Sequence, residues 1–145
     1  MAGGGSIASS VDDARVKPGE KIWRLIHIDW YKSDPNIPGG APEVQENAFS
    51  QDISVVRELL VSQTIVDSVL NGQFAKWGIL ELNADDIRAA GCVFEIEVRP
   101  EWHTEGHFLI RRIGQYNKLQ WPNNTQKQAL TILANAKPLL RSPQP

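Results

Sequence analysis

The feature that most limits the fold is one uninterrupted apolar segment near the N-terminus, KIWRLIHIDW at residues 21–30. It contains neither glycine nor proline, and it is rich in isoleucine and tryptophan, which favour β-strands. Alternate positions place isoleucines on one face and Trp23, Leu25, His27 and Asp29 on the other, so both faces are largely apolar apart from Arg24 and the charges near the two ends. Such a strand is typical of the interior of a sheet that is covered on two sides.

Three later segments carry the same kind of strand pattern, namely 77–82, 92–98 and 107–113. The last two are close in sequence and are predicted to pair antiparallel, which would set Glu95 and Glu97 opposite Arg111 or Arg112. The predicted element order is β-α-β-α-β-β-α. The fold class predicted from it is α+β, with a small four-stranded, mostly antiparallel sheet and helices packed on it.

Three segments are predicted to be helical. Residues 52–74 show helical spacing with Ser54 as a plausible N-cap, although Val55 and Val56 could instead extend a short strand. Asn83 is predicted to cap a helix over 84–90 that ends at Gly91 in the left-handed conformation. A last helix, capped by Asn124 or Thr125 and running to about residue 137, has an apolar stripe formed by Ala129, Leu130, Leu133 and Ala136.

The composition predicts one domain between two tails. Residues 1–18 and 142–145 are poor in large apolar side chains, so we expect tails there and a single domain over 19–141. Residues 31–51 hold three prolines and a Gly39-Gly40 pair, which predict a long loop.

Several classes of protein are excluded or disfavoured. Cys92 is the single cysteine of the 145 residues, which excludes an internal disulfide framework and a cysteine-based zinc cage. No apolar run reaches about 18 residues, and residues 1–10 lack the pattern of a secretory signal. No phosphate loop, dinucleotide fingerprint or nucleophile elbow occurs. We therefore expect a cytoplasmic protein with no cofactor, no metal and no membrane contact.

Charge is spread unevenly along the chain. Residues 99–145 carry seven basic and two acidic residues, whereas the whole chain has a net charge of −2. This favours a binding or accessory module whose partner is another protein, with nucleic acid as an alternative partner for the basic C-terminal third. Trp102, Arg111 and Arg112 are the candidate binding residues in this third. Tryptophan is enriched at interface hot spots, and an arginine such as Arg111 could bind phosphate.

The histidines suggest the alternative function, a small hydrolase or nuclease. His27 and His107 lie on predicted strands and could act as acid and base, with Asp29 orienting a partner. His103 and His107 are four residues apart, but they fall in a turn that enters a strand, so a helical zinc motif is not met. If His27 and His107 came within about 7 Å beside a cleft, the enzymatic interpretation would be favoured.

Four stretches resemble a group of small bacterial proteins: IHIDW, AFSQDISVVRE, LNADDIRAAGCVFEI and RPEWHTEGHFLI. The resemblance covers about 80 residues. It implies that Ser54, Arg57 and His107 form a common binding site, and it implies no particular activity.

Overall fold

The computed structural model of the protein describes residues 12–50, 53–59, 76–97 and 107–144. Within these ranges the chain forms eight β-strands, two α-helices and three short 3-10 helices. The strands are β1 (Lys21–His27), β2 (Tyr31–Lys32), β3 (Glu43–Val44), β4 (Ser54–Arg57), β5 (Trp77–Asn83), β6 (Val93–Ile96), β7 (His107–Ile113) and β8 (Leu119–Gln120), and the α-helices are α1 (Ala84–Ala89) and α2 (Asn124–Asn135).

One antiparallel sheet of six strands dominates the fold. Five strands follow the order β5-β1-β4-β7-β6, β8 pairs with β7, and β2 and β3 form a separate two-stranded sheet. The predicted fold class is therefore wrong, since the sheet is larger than four strands and the described residues hold two α-helices. The four predicted strands do lie in the sheet, and the predicted antiparallel pairing of β6 with β7 is confirmed.

Two strands of the sheet were not predicted, β4 and β8, and the sequence assigned β4 to the start of a helix. Ser54 is not a helix cap, because it begins a strand whose residues pair with His107 and Leu109 of β7. Val55 and Val56 are β-branched and favour the extended backbone, which is the alternative that the sequence left open. The remainder of the predicted helix, over 60–74, lies outside the described residues.

Strand β1 occupies the interior position that its sequence predicts, with β5 on one side and β4 on the other. It ends at His27 rather than at residue 30. The His27 Nδ1 accepts a hydrogen bond of 3.1 Å from the Asp29 backbone N–H, and residues 28–30 turn into a 3-10 helix. The long loop that follows contains β2, β3 and a second 3-10 turn over Glu46–Phe49.

The two helices begin as their capping residues predict, within one residue. Asn83 caps α1 by accepting from the Asp85 N–H, and Gly91 follows the helix with a φ of +90°. Helix α2 is capped by Asn123, whose side chain forms a reciprocal capping box with Gln126. Within the described ranges no helix is both long and apolar enough to cross a bilayer.

The main hydrophobic core lies between one face of the sheet and the layer that contains the helices. Its members come from most elements of the chain, including Ile22, Ile26, Phe49, Val55, Leu80, Ile87, Phe94, Phe108, Ile110 and Leu130. A smaller cluster of Trp23, Val56 and Ile79 lies on the opposite face, with Leu25 and Trp77 packed against it.

Both edge strands of the sheet are covered by segments close to the chain termini. At β6, the Phe94 N–H donates to the Asp12 carboxylate, and the Asp13 N–H donates to the Phe94 carbonyl. At β5, the Ile79 N–H donates to the Arg141 carbonyl at 2.8 Å. Val16, in the predicted tail, is only 1% exposed and belongs to the core. The composition of residues 1–18 gave no indication of this packing.

Candidate functional site

His27 and Asp29 lie together at the C-terminal end of β1, where the His27 imidazole packs in an aromatic cluster and the Asp29 side chain is 74% exposed. The His27 ring centroid is 4.8 Å from that of Trp77 and 6.1 Å from that of Trp30, with the rings edge to face. The Nδ1 atom is 3.4 Å from an Asp29 carboxylate oxygen. These contacts fill the space around the imidazole with packed rings, which is the arrangement of a structural cluster.

His107 and Ser54 occupy the middle of the sheet. His107 lies opposite Val56, and Ser54 lies opposite Leu109, so the two side chains are diagonal neighbours on one face. His107 is 5% exposed, and its Nδ1 is 3.9 Å from a Glu97 carboxylate oxygen. The pair thus combines a buried imidazole with a nearby carboxylate.

The structure does not bring His27 and His107 together. Trp23, Val56 and His107 form one row across β1, β4 and β7, and His27 lies four residues further along β1. Four residues of strand span about 13 Å, before the spacing of the two intervening strand pairs is added. A shared acid–base site needs both imidazoles within hydrogen-bond reach of one substrate, and this register separates them.

Arg57 lies apart from Ser54 and His107. It pairs with Ile22 across the sheet and therefore shares the face of the main core. Its guanidinium binds the Glu20 carboxylate through Nε at 2.5 Å and Nη2 at 3.3 Å, and both residues are 7% exposed. The sheet itself thus divides the three residues that the resemblance assigns to one site.

Arg111 and Arg112 are engaged within the fold. Arg111 donates to the Glu95 carboxylate at 3.0 Å, which meets the expected cross-strand pairing, and to the Leu119 carbonyl at 2.9 Å. Arg112 donates to the Trp121 carbonyl and to the Gln120 side chain. The hydrogen bonds of the two arginines therefore hold β8 and the residue after it against β7. Trp102 lies outside the described residues.

Sequence reasoning noted Arg24 as the polar exception in β1 but missed its role. Arg24 is 4% exposed on the core side, and its guanidinium donates to the Ala48 and Ser54 carbonyls at 2.6–3.1 Å. It also lies 5.4 Å from the Trp30 ring centroid. Arg24 therefore fixes the loop that leads into β4.

An open, mostly apolar groove lies between α1 and α2, and we call it the helix groove. Its volume is about 310 Å³, and it is lined by Asp86, Ala89, Ala90, Ala129, Ile132 and Leu133. Ile132 is 71% exposed, which is unusual for a large aliphatic side chain on a helix whose other exposed residues are small or polar. The exposed Ile132 side chain projects beside a shallow surface lined by alanines. A partner could contact both the projecting side chain and the alanine surface.

One carboxylate on the rim of the helix groove, that of Asp86, lacks a cationic partner among the described residues. The groove continues past Asp86 and Leu133 into a second hollow of about 200 Å³, lined by Glu81 and Lys137 among others. Glu81 is paired with Lys137 at 3.4 Å and with Lys21 at 3.8 Å. No cation among the described residues lies within ion-pair distance of the Asp86 carboxylate, so Asp86 is the unneutralised charge on the rim.

The sequence contained part of the signal for this groove. Ala129 and Leu133 belong to the predicted apolar stripe of the last helix, but Leu130 and Ala134 take the fully buried positions. The helix is thus rotated so that part of its apolar stripe lies in an open groove rather than in the core. Among the residues that the structure describes, no group of three metal-ligating side chains occurs.

Comparison of the chain with protein-family models, with curated proteins and with solved structures gave no match.

Proposed function

We propose that this chain is a bacterial accessory module that binds another protein, and that the helix groove is its binding surface. The observation that supports this proposal is the exposed Ile132 beside an apolar floor of small residues. The few residues that carry most of the binding energy of an interface cluster in well-packed pockets from which water is excluded. The proposed setting is a reducing cytoplasm, in which the single Cys92 would stay a thiol.

The test is a selection of peptide ligands from a random library displayed on phage, followed by affinity measurements with fluorescent copies of the peptides obtained. Ile132→Glu places a charge in the groove and is expected to weaken binding at least about tenfold, which is the effect of losing one hot-spot contact. Gln128→Glu is the matched control, because Gln128 is also exposed on α2 but does not line the groove.

The control is expected to bind like the wild-type chain. Equal affinities of all three proteins for every selected peptide would overturn the assignment of the groove. Binding of a labelled single-stranded oligonucleotide that is weakened by Lys127→Ala but not by Ile132→Glu would instead support the alternative partner, nucleic acid.

A further inference from the structure

The hairpin between β7 and β8 ends in a strained turn. The Lys118 N–H donates to the Gln115 carbonyl at 3.2 Å, and the two residues between them, Tyr116 and Asn117, have φ angles of +57° and +58°. Positive φ at both central positions is the geometry of a type I′ turn, for which Asn-Gly is the favoured pair. Asparagine suits this backbone, whereas a bulky tyrosine costs about 1 kcal/mol there.

The Tyr116 ring adds little to the packing of its own chain, because Tyr116 is 83% exposed. A strained residue whose ring points away from its own domain is a feature from which a functional contact can be inferred. Tyrosine is also one of the side chains most enriched at binding hot spots, since it buries a large rigid surface with few rotatable bonds.

The base of the hairpin is braced, so the backbone that carries Tyr116 is held in a defined position. The Arg111 guanidinium lies 4.3 Å from the Trp121 ring centroid, and it also donates to the Leu119 carbonyl. Arg112 donates to the Trp121 carbonyl on the same segment. Bracing of this kind lowers the backbone entropy that the turn loses when it binds.

The charges of the hairpin and of the helix groove are complementary. Residues 107–144 contain no Asp or Glu, and Lys118 beside the tip is exposed without a carboxylate partner among the described residues. The rim of the groove presents the unneutralised Asp86. The tip of the hairpin therefore offers an aromatic ring, Tyr116, beside a positive charge, Lys118. The helix groove offers an apolar surface beside a negative charge, Asp86.

We propose that Tyr116 of one copy of the chain occupies the helix groove of a second copy, with Lys118 facing Asp86. This inference rests on the proposed function of the groove and names its occupant. Because Tyr116 is exposed in its own chain, the contact joins two different surfaces of two copies. Such a contact is heterologous, and repeating it produces a closed ring or an open chain of molecules.

The experiment is sedimentation velocity over a range of concentrations from about 10 μM to 1 mM, because a contact of this size gives weak association. The wild-type protein is expected to form species larger than a dimer as concentration rises. Tyr116→Ala removes the ring, and Ile132→Glu spoils the groove, so each variant alone is expected to remain monomeric. Gln128→Glu should associate like the wild type.

Mixing the two variants, Tyr116→Ala and Ile132→Glu, provides the decisive test of the proposed contact. Tyr116→Ala keeps an intact groove and Ile132→Glu keeps an intact hairpin, so an equimolar mixture is expected to form a one-to-one dimer and nothing larger. Lys118→Glu and Asp86→Lys should each weaken association, and the protein carrying both changes should recover it. Thermal unfolding of each variant confirms that it is folded before sedimentation.

A wild-type protein that stays monomeric over this range would overturn the inference, as would a Tyr116→Ala variant that associates normally. The proposed function has its own test. It is overturned if the selected peptides bind the wild-type chain and the Ile132→Glu variant with equal affinity. Peptides that depend on Ile132, together with a monomeric wild-type protein, would leave the groove as a binding surface and remove only the second copy as its occupant.

Discussion

Single residues explain why this sheet tolerates several polar groups inside it. Glu20, Arg24, Arg57 and His107 are all buried, and the structure provides each of the first three with charged or carbonyl partners at hydrogen-bond distance. A buried polar group costs free energy unless such partners exist. The sequence showed Arg24 and Arg57 as charges within apolar runs, but it could not show that their partners are residues more than twenty positions away.

The left-handed backbone at Tyr116 leads to a prediction about stability. Tyr116→Asn should increase the free energy of unfolding by about 0.5–1 kcal/mol, because asparagine adopts this conformation at lower cost. Tyr116→Ala should leave it nearly unchanged, since alanine keeps the Cβ atom that causes the strain. The measurement is the midpoint of urea unfolding, and a loss of stability in both variants would show that the ring contributes to the fold.

His107 gives a second prediction at this scale. His107→Ala is expected to reduce the free energy of unfolding by about 1–3 kcal/mol, because it removes a side chain that is only 5% exposed and leaves a cavity in the sheet. Gln128→Ala, on an exposed helix position, should change it by less than about 0.5 kcal/mol. Urea unfolding of both variants checks this, and full stability of His107→Ala would indicate that the imidazole serves binding rather than folding.

At the scale of elements, the edge contact at β5 depends on one glycine. A Cβ atom at Gly78 would lie 2.4 Å from the Arg141 carbonyl oxygen and 2.7 Å from the Pro143 ring. Gly78→Ala should therefore displace the segment around Arg141 and cost about 1–3 kcal/mol, the usual range for overpacking.

Hydrogen exchange measures this change directly. The Ile79 amide, which donates to the Arg141 carbonyl, should exchange faster in Gly78→Ala. The Asp13 amide, at the opposite edge of the sheet, is the internal control and should keep its rate. Unchanged protection at Ile79 would mean that the segment adjusts without leaving the edge.

The elements that sequence predicted are those with a local signal. Strands β1, β5, β6 and β7 carry enough apolar residues to show their pattern, and Asn83 and Gly91 mark both ends of α1. Strand β4 has four residues, too few to separate a strand period from a helix period. Strands β2, β3 and β8 have two residues each, which is too short for a pattern in the sequence. They are recognisable only from their pairing with other strands.

The candidate site was harder to predict because it depends on long-range geometry. The distance between His27 and His107 follows from the order of strands β1, β4 and β7, and the sequence had not assigned β4. The helix groove depends on the rotation of α2 about its own axis, which Leu130 and Ala134 fix by entering the core. The apolar pattern of the helix alone fits more than one rotation.

For the whole molecule, the buried thiol of Cys92 predicts how stability depends on pH. Burial raises the pKa of Cys92 from 9.0 to about 11. The folded state therefore keeps the proton in a range where the unfolded chain loses it. The stabilising effect is complete below pH 9 and is lost progressively as pH rises to about 11, with a loss of about 1.4 kcal/mol near pH 10.

Urea unfolding at a series of pH values tests this prediction, with Cys92→Ala as the matched variant. The variant lacks the thiol but keeps every lysine and tyrosine, so the difference between the two pH profiles isolates Cys92. Parallel profiles between pH 9 and about 11 would show that the thiol ionises equally in both states.

The strand order has a consequence for synthesis of the protein on the ribosome. Strands β1, β4 and β5 have all been synthesised once Asn83 has been added. One of the two strands that pair with β4, namely β7, is complete only when Ile113 has been added. At about 5–20 residues per second, these roughly 30 residues take about 2–6 s to be translated. During that interval the nascent chain exposes the unpaired edge of β4, which contains two valines. Its need for chaperones should therefore be greatest while residues 84–113 are being translated.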